Sequence, residues 1–337
     1  MKMTYRTSLW EDFLMIRSVN KKWHWWLAMV VMLAAMWACS SAGRQTGAPQ
    51  TAHTLQQSYA TPEVAAQGLL DALATGDRHA IQAVLGPDAD QLGSGDPVAD
   101  ADDRKNFLAA ARSHHRIVYA DDNVAYMEVG PKDWRLPIPI VKEKDGWQFD
   151  TPAGVEVVED LRIGRDELHT IATMRAYVDA QYEYAAQNPT GEAVRQFAQH
   201  FRSSAGQRDG LYWPVAPGEP QSPLGPLAAQ AAEEGYFKTK SDNPIPYHGY
   251  IYRILTAQGA HVPGGAMTYM VNGRLTRGFG LLAYPARYGK SGVMTFMVNQ
   301  RGIVYQKDLG EKTSALAERI TAYDPDDSWT PVTEPVS

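Results

Sequence analysis

Residues 61–77 read TPEVAAQGLLDALATGD. Thr61 offers a hydroxyl at a helix start, Pro62 suits the first helical position, and Glu63 sits at the positive end of the helix dipole. Val64, Leu69, Leu70 and Leu73 supply a buried side, and Thr75-Gly76-Asp77 breaks the helix. Working outward, a second helix is predicted over 79–85, stopping at Gly86-Pro87, and a third over 102–112, after an acidic loop. Strand patterns follow at 116–119, 124–129, 134–141 and 147–149, with Asp145-Gly146 as a hairpin signal. Helices first and an antiparallel sheet after them predict an α+β fold.

The second half repeats that logic. A helix capped by Asp166 is predicted over 167–187, with Leu168, Ile171, Met174, Val178, Tyr182 and Ala185 along one side and Asn188-Pro189 as its end. A loop rich in Pro and Gly follows, then a short helix over 227–234. Strands are predicted at 249–257, 266–271, 278–284, 293–299 and 303–308, the last two joined through Gln300-Arg301-Gly302. Residues 293–299 are apolar on both faces except at Thr295, which marks a central strand. The expected division is a first domain over 60–158, a second over 160–325 and a tail over 326–337.

The amino-terminal residues read as an address. WHWWLAMVVMLAAMWA, residues 23–38, is apolar apart from His24 and is preceded by Arg17, Lys21 and Lys22. A basic segment, a short apolar run and small residues form the signal-peptide pattern. The run is shorter than the roughly 20 residues of a spanning helix. The signal peptide is expected over 1–38, with Met15 as an alternative start, and 39–59 as a flexible tether. Cys39 is the single cysteine and stands where a lipoprotein cysteine would. Met36-Trp37-Ala38 before it is similar to a lipobox, although Leu is usual at the first position and a small residue at the second. The resemblance implies acylation of Cys39 and, with Ser40 following, the periplasmic face of the outer membrane. Cleavage after Ala42, giving a free periplasmic or secreted protein, stays open as the alternative.

Three further resemblances concern the folded part. The helix-then-sheet order and the 61–77 opening look like the NTF2-like cone fold, which often encloses a pocket. A long helix, irregular loops and a terminal hairpin in the second half are similar to pilin and pseudopilin globular domains. The residues before that helix are too polar for a filament core. GLYWPVAPGEPQSPLGPL (210–227), YHGYIYRILTAQG (247–259) and GFGLLAYPARYGKSGVMTFMVNQRGIVYQKDLG (278–310) closely resemble an exported bacterial family known as domain of unknown function 2950. That resemblance implies an envelope location and brings no catalytic residue with it.

Composition narrows the chemistry. The formal net charge is -6, which argues against a general grip on nucleic acid or anionic lipid. With one cysteine the chain has no internal disulfide and no multi-cysteine zinc site. No Gly-x-Ser-x-Gly elbow, His-Glu-x-x-His helix or full P-loop occurs. Neither a metal nor a cofactor is expected. Tyr212 and Trp213, with Tyr247 and His248, are the candidate ligand or partner surface, the alternative being that they pin the long loop onto the sheet. The leading expectation is a non-catalytic envelope protein that binds a partner or supports an assembly. The alternatives are a small-ligand protein using the cone pocket, and a hydrolase of envelope polymers.

Overall fold

The computed structural model describes residues 56–216, 218–234 and 246–333. Cys39, the leader and most of the tether lie outside them. The fold is α+β, and the described residues belong to one unit running from Ala52 to Ser337.

The chain opens with α1 (Pro62–Thr75), α2 (Arg78–Leu85) and α3 (Pro97–Ser113). Thr61 caps α1 through the Val64 amide, Asp77 caps α2, and Gly76 ends α1 in the left-handed region. The third helix starts five residues earlier than expected, because Asp96 caps it and Pro97 opens it. Part of the acidic loop is therefore helical. Five strands follow: β1 (His115–Tyr119), β2 (Val124–Val129), β3 (Trp134–Arg135), β4 (Ile140–Glu143) and β5 (Gly146–Phe149). They pair antiparallel in the order β1-β2-β4-β5, with β3 also on β2. The predicted strand over 134–141 is thus two pieces, separated by Pro137 and Pro139, which lack the N–H a ladder needs. The helices close one face of this sheet. Ala65, Leu69, Met127, Ile140 and Phe149 fill the space between with almost no exposure.

The largest departure is α4 (Thr151–Gln187). Asp150 caps it through the Ala153 amide, and it runs for 37 residues to the left-handed Asn188. The expected boundary near 158–160 lies inside it. Asp166 is no cap but a fully buried mid-helix residue. The buried side carries Asp166, Thr170, Met174, Tyr177, Gln181 and Tyr184, while Leu168 and Tyr182 are about half exposed. Met174 and Val178 of the predicted side are buried and Ile171 packs on the same core, but polar residues occupy much of the rest of that face. No helix among the described residues is long and apolar enough to cross a membrane.

Short elements follow: β6 (His200–Arg202) paired in parallel with β7 (Gly210–Tyr212), then α5 (Gly225–Glu234). The next strand, β8 (Tyr250–Leu255), begins the second sheet. Two small ribbons leave it, β9 (Ala257–Gln258) with β10 (Met267–Thr268), and β11 (Met270–Val271) with β12 (Arg274–Leu275). The sheet is completed by β13 (Gly280–Pro285), β14 (Met294–Asn299), β15 (Tyr305–Asp308) and β16 (Thr330–Pro331). Its order is β16-β15-β14-β13-β8, so β14 is central as its two apolar faces predicted. The last strand and the buried Trp329 come from residues expected to be a tail. Tyr250, Tyr252, Phe296 and Val298 face the core built on α4. Ile251, Leu255 and Met297 face the other way, onto a smaller core that includes Ala317 of α6 (Thr313–Arg319) and Trp329.

Candidate functional site

The described polar chemistry concentrates where α3, the middle of α4 and the second sheet meet. Asp96 stands at the start of α3 with 1% exposure. Its Oδ1 accepts from the Val98 and Ala99 amides at 3.0 and 3.1 Å. Its Oδ2 accepts from the Gly249 amide at 3.2 Å. Gly249 has φ +74° and follows His248 at φ 47°, two consecutive left-handed residues before β8. A Cβ at Gly249 would lie 2.7 Å from Ser291 Cβ and 3.0 Å from Asp166 Oδ2, so glycine is required by conformation and by space. The Ser291 hydroxyl donates to the Gly249 carbonyl at 2.8 Å. The Arg287 amide donates to that hydroxyl at 3.1 Å.

Side chains of α4 complete the junction. Arg165 donates to Asp166 Oδ1 from Nε at 3.2 Å and from Nη2 at 3.1 Å, and also pairs with Asp103 of α3. Glu167 Oε1 accepts from the Val293 and Met294 amides at 3.0 and 2.9 Å. Lys290 pairs with Glu159. The Tyr252 hydroxyl donates to Thr170 Oγ1 at 3.2 Å. The His169 ring meets the His248 ring edge-on at 4.4 Å, and His248 meets Tyr247 at the same distance. Asp166 Oδ2 has no hydrogen-bond partner among the described residues. Burial pushes the Asp166 carboxyl up to about 7, against the opposite pull of Arg165 and His248.

The four residues singled out from sequence separate into two environments. Trp213 is buried in the large core, edge-on to Tyr184 at 6.4 Å, with the Arg208 guanidinium 5.6 Å from its ring centre. Tyr212 packs on the same core from β7, and Arg202 lies 6.0 Å from its ring. Tyr247 and His248 are half-buried at the junction, where Tyr247 also leans on Tyr252 at 6.4 Å. In the sequence Asp166 reads only as a helix cap, and no place at a site is assigned to Asp96, Asp166 or Ser291. The signals present were the Asp-Pro helix start at 96–97 and the glycine following His248.

Among the described residues no group of three or more His, Cys, Asp or Glu side chains is arranged to hold a metal ion. Away from the junction, a surface groove of about 540 Å³ lies between α6 and β15. Met297, Leu316, Ile320 and Trp329 give it apolar walls, and Lys307 and Arg319 are matched by Asp308 and Asp324.

No curated protein and no solved structure matches the chain. A family model described as "Protein of unknown function (DUF2950)" matches residues 56–332, and the chain belongs to that family.

Proposed function

We propose that the mature protein is a non-catalytic module of the bacterial envelope, anchored by lipid on Cys39, whose folded part binds a partner or supports an assembly. One observation supports the non-catalytic part: Asp96, Glu167 and Ser291 at the junction are all engaged with the backbone. Asp96 closes α3 and holds Gly249. Glu167 holds the start of β14. The Ser291 hydroxyl is committed to the Gly249 carbonyl. A hydroxyl donating to a backbone carbonyl is not poised as a nucleophile, which needs a base at hydrogen-bond distance. The envelope part rests on the leader pattern and the position of the single cysteine.

The test has two arms. Cross-linking in intact cells, read by mass spectrometry, should return one stoichiometric envelope partner. Cys39→Ser should release the protein from membranes and remove the acyl mass from its mature amino terminus. Cleavage of any envelope polymer by the purified folded protein would overturn the reading.

The groove beside α6 favours a second reading, small-ligand binding. Its volume falls within the range of about 300–1,000 Å³ typical of ligand sites. Met127, Ile140 and Phe149 pack inside the first half, where the cone-pocket form of this reading would place a ligand. A small molecule copurifying at one per chain, and lost in Trp329→Ala, is its expected signature.

A further inference from the structure

We propose that the Asp166 side chain is a proton-operated latch, which sets how tightly the His248-Gly249 turn is held against the middle of α4. Asp166 is fully buried, and only one of its two oxygens is served. The other, Oδ2, is aimed at the space above Gly249, where no described group donates to it. A neutral carboxyl fits such a position, because it carries no charge to solvate. An ionised one places an undersolvated oxygen against the backbone of the turn.

The turn has little slack. Two successive left-handed residues, the Asp96 bond to the Gly249 amide and the Ser291 bond to the Gly249 carbonyl fix it from three sides. Opening the turn lets water reach Oδ2, so the open form favours ionisation and releases a proton.

The charged and titratable groups around Asp166 come from every element of the junction. On α4 these are Arg165 and His169, and on α3 they are Asp96 and Asp103. His248 comes from the turn, and Tyr250 and Tyr252 from β8. Asp103 opposes ionisation of Asp166, while Arg165 and His248 favour it. The desolvation of the buried carboxyl outweighs that pull.

Amide hydrogen exchange of the mature protein, corrected for intrinsic exchange, tests the latch. The opening constant at the Gly249 amide should rise by up to about tenfold per pH unit from pH 5 towards 7, because one proton is released on opening. It should level off at higher pH. In Asp166→Asn the corrected constant should be flat over that range. Equal pH dependence in both proteins would overturn the proposal. Should Asp166→Asn not fold, the carbon-13 shift of the Asp166 carboxyl in the native chain decides. A midpoint near neutrality supports the latch, and one in the ordinary carboxylate range overturns it.

Discussion

The Gly249 amide donates to Asp96 Oδ2 at 3.2 Å across 153 positions of sequence, while the same carboxylate's other oxygen caps α3. One buried side chain thus closes a helix in the first half and pins a turn in the second. Asp96→Ala removes the cap, worth about 1 kcal/mol. It also strands a buried donor, at about 1–3 kcal/mol. The expected loss in urea unfolding is therefore about 2–4 kcal/mol. Asp96→Asn keeps one acceptor oxygen and should fall between Ala and wild type. Equal midpoints for all three proteins would show that the bond contributes nothing.

Gly249→Ala tests the turn from the other side. Its φ of +74° is costly for any residue with a Cβ, and the new atom meets Ser291 Cβ at 2.7 Å. Backbone strain alone costs about 1–3 kcal/mol, and the contact adds to it. Gly289→Ala is the matched control: φ is +74° there too, but no atom lies within 4 Å of the added Cβ. The difference between the two melting temperatures isolates the contact, so equal losses would remove Ser291 and Asp166 from the account.

The contrast between α1 and α4 explains what was legible in the sequence. At α1 the cap, the proline and the buried Leu69 and Leu70 all point to the same answer and the helix forms where it should, although Val64 of the predicted side is about half exposed. At α4 the apolar residues suggested a start near 167, yet the helix begins at Thr151. Its first turns bury Thr151, Gly154, Arg162 and Asp166, so hydrophobic period carries no signal there. Strand β14 was readable as central because both faces are apolar. The junction was not readable, because it joins Asp96, Asp166, Gly249 and Ser291 from four distant segments. Trp213 illustrates a different limit: an aromatic in a Pro-rich loop looks the same in sequence whether it faces solvent or a core.

Asp166 makes global stability depend on pH with a definite sign. Its folded value, about 7, lies above the ordinary 3.8 that the unfolded chain recovers. Between those values the folded state holds the extra proton, so raising the pH lowers stability, and the loss is complete above about 7. Each pH unit between the two values is worth about 1.4 kcal/mol, so the cost reaches up to about 4 kcal/mol. Asp166→Asn should therefore be the more stable protein at pH 8, with the gap closing towards pH 4. Chemical denaturation at several pH values measures it. A constant gap across that range would remove Asp166 as the source.

Trp213 separates a structural from a recognition role for the aromatic loop. Its ring packs against Tyr184 and the rest of the large core, and only 6% of the residue remains exposed. Trp213→Ala should cost about 3–5 kcal/mol, the usual range for removing a buried ring. Trp213→Phe retains most of the apolar contact and should lose far less, with partner or ligand binding unchanged. Tyr247 is half-buried, so Tyr247→Ala should cost less than Trp213→Ala. If Trp213→Phe instead abolished binding while its unfolding midpoint stayed at the wild-type value, the ring would belong to a recognition surface. The loop would then do more than seal the core beneath it.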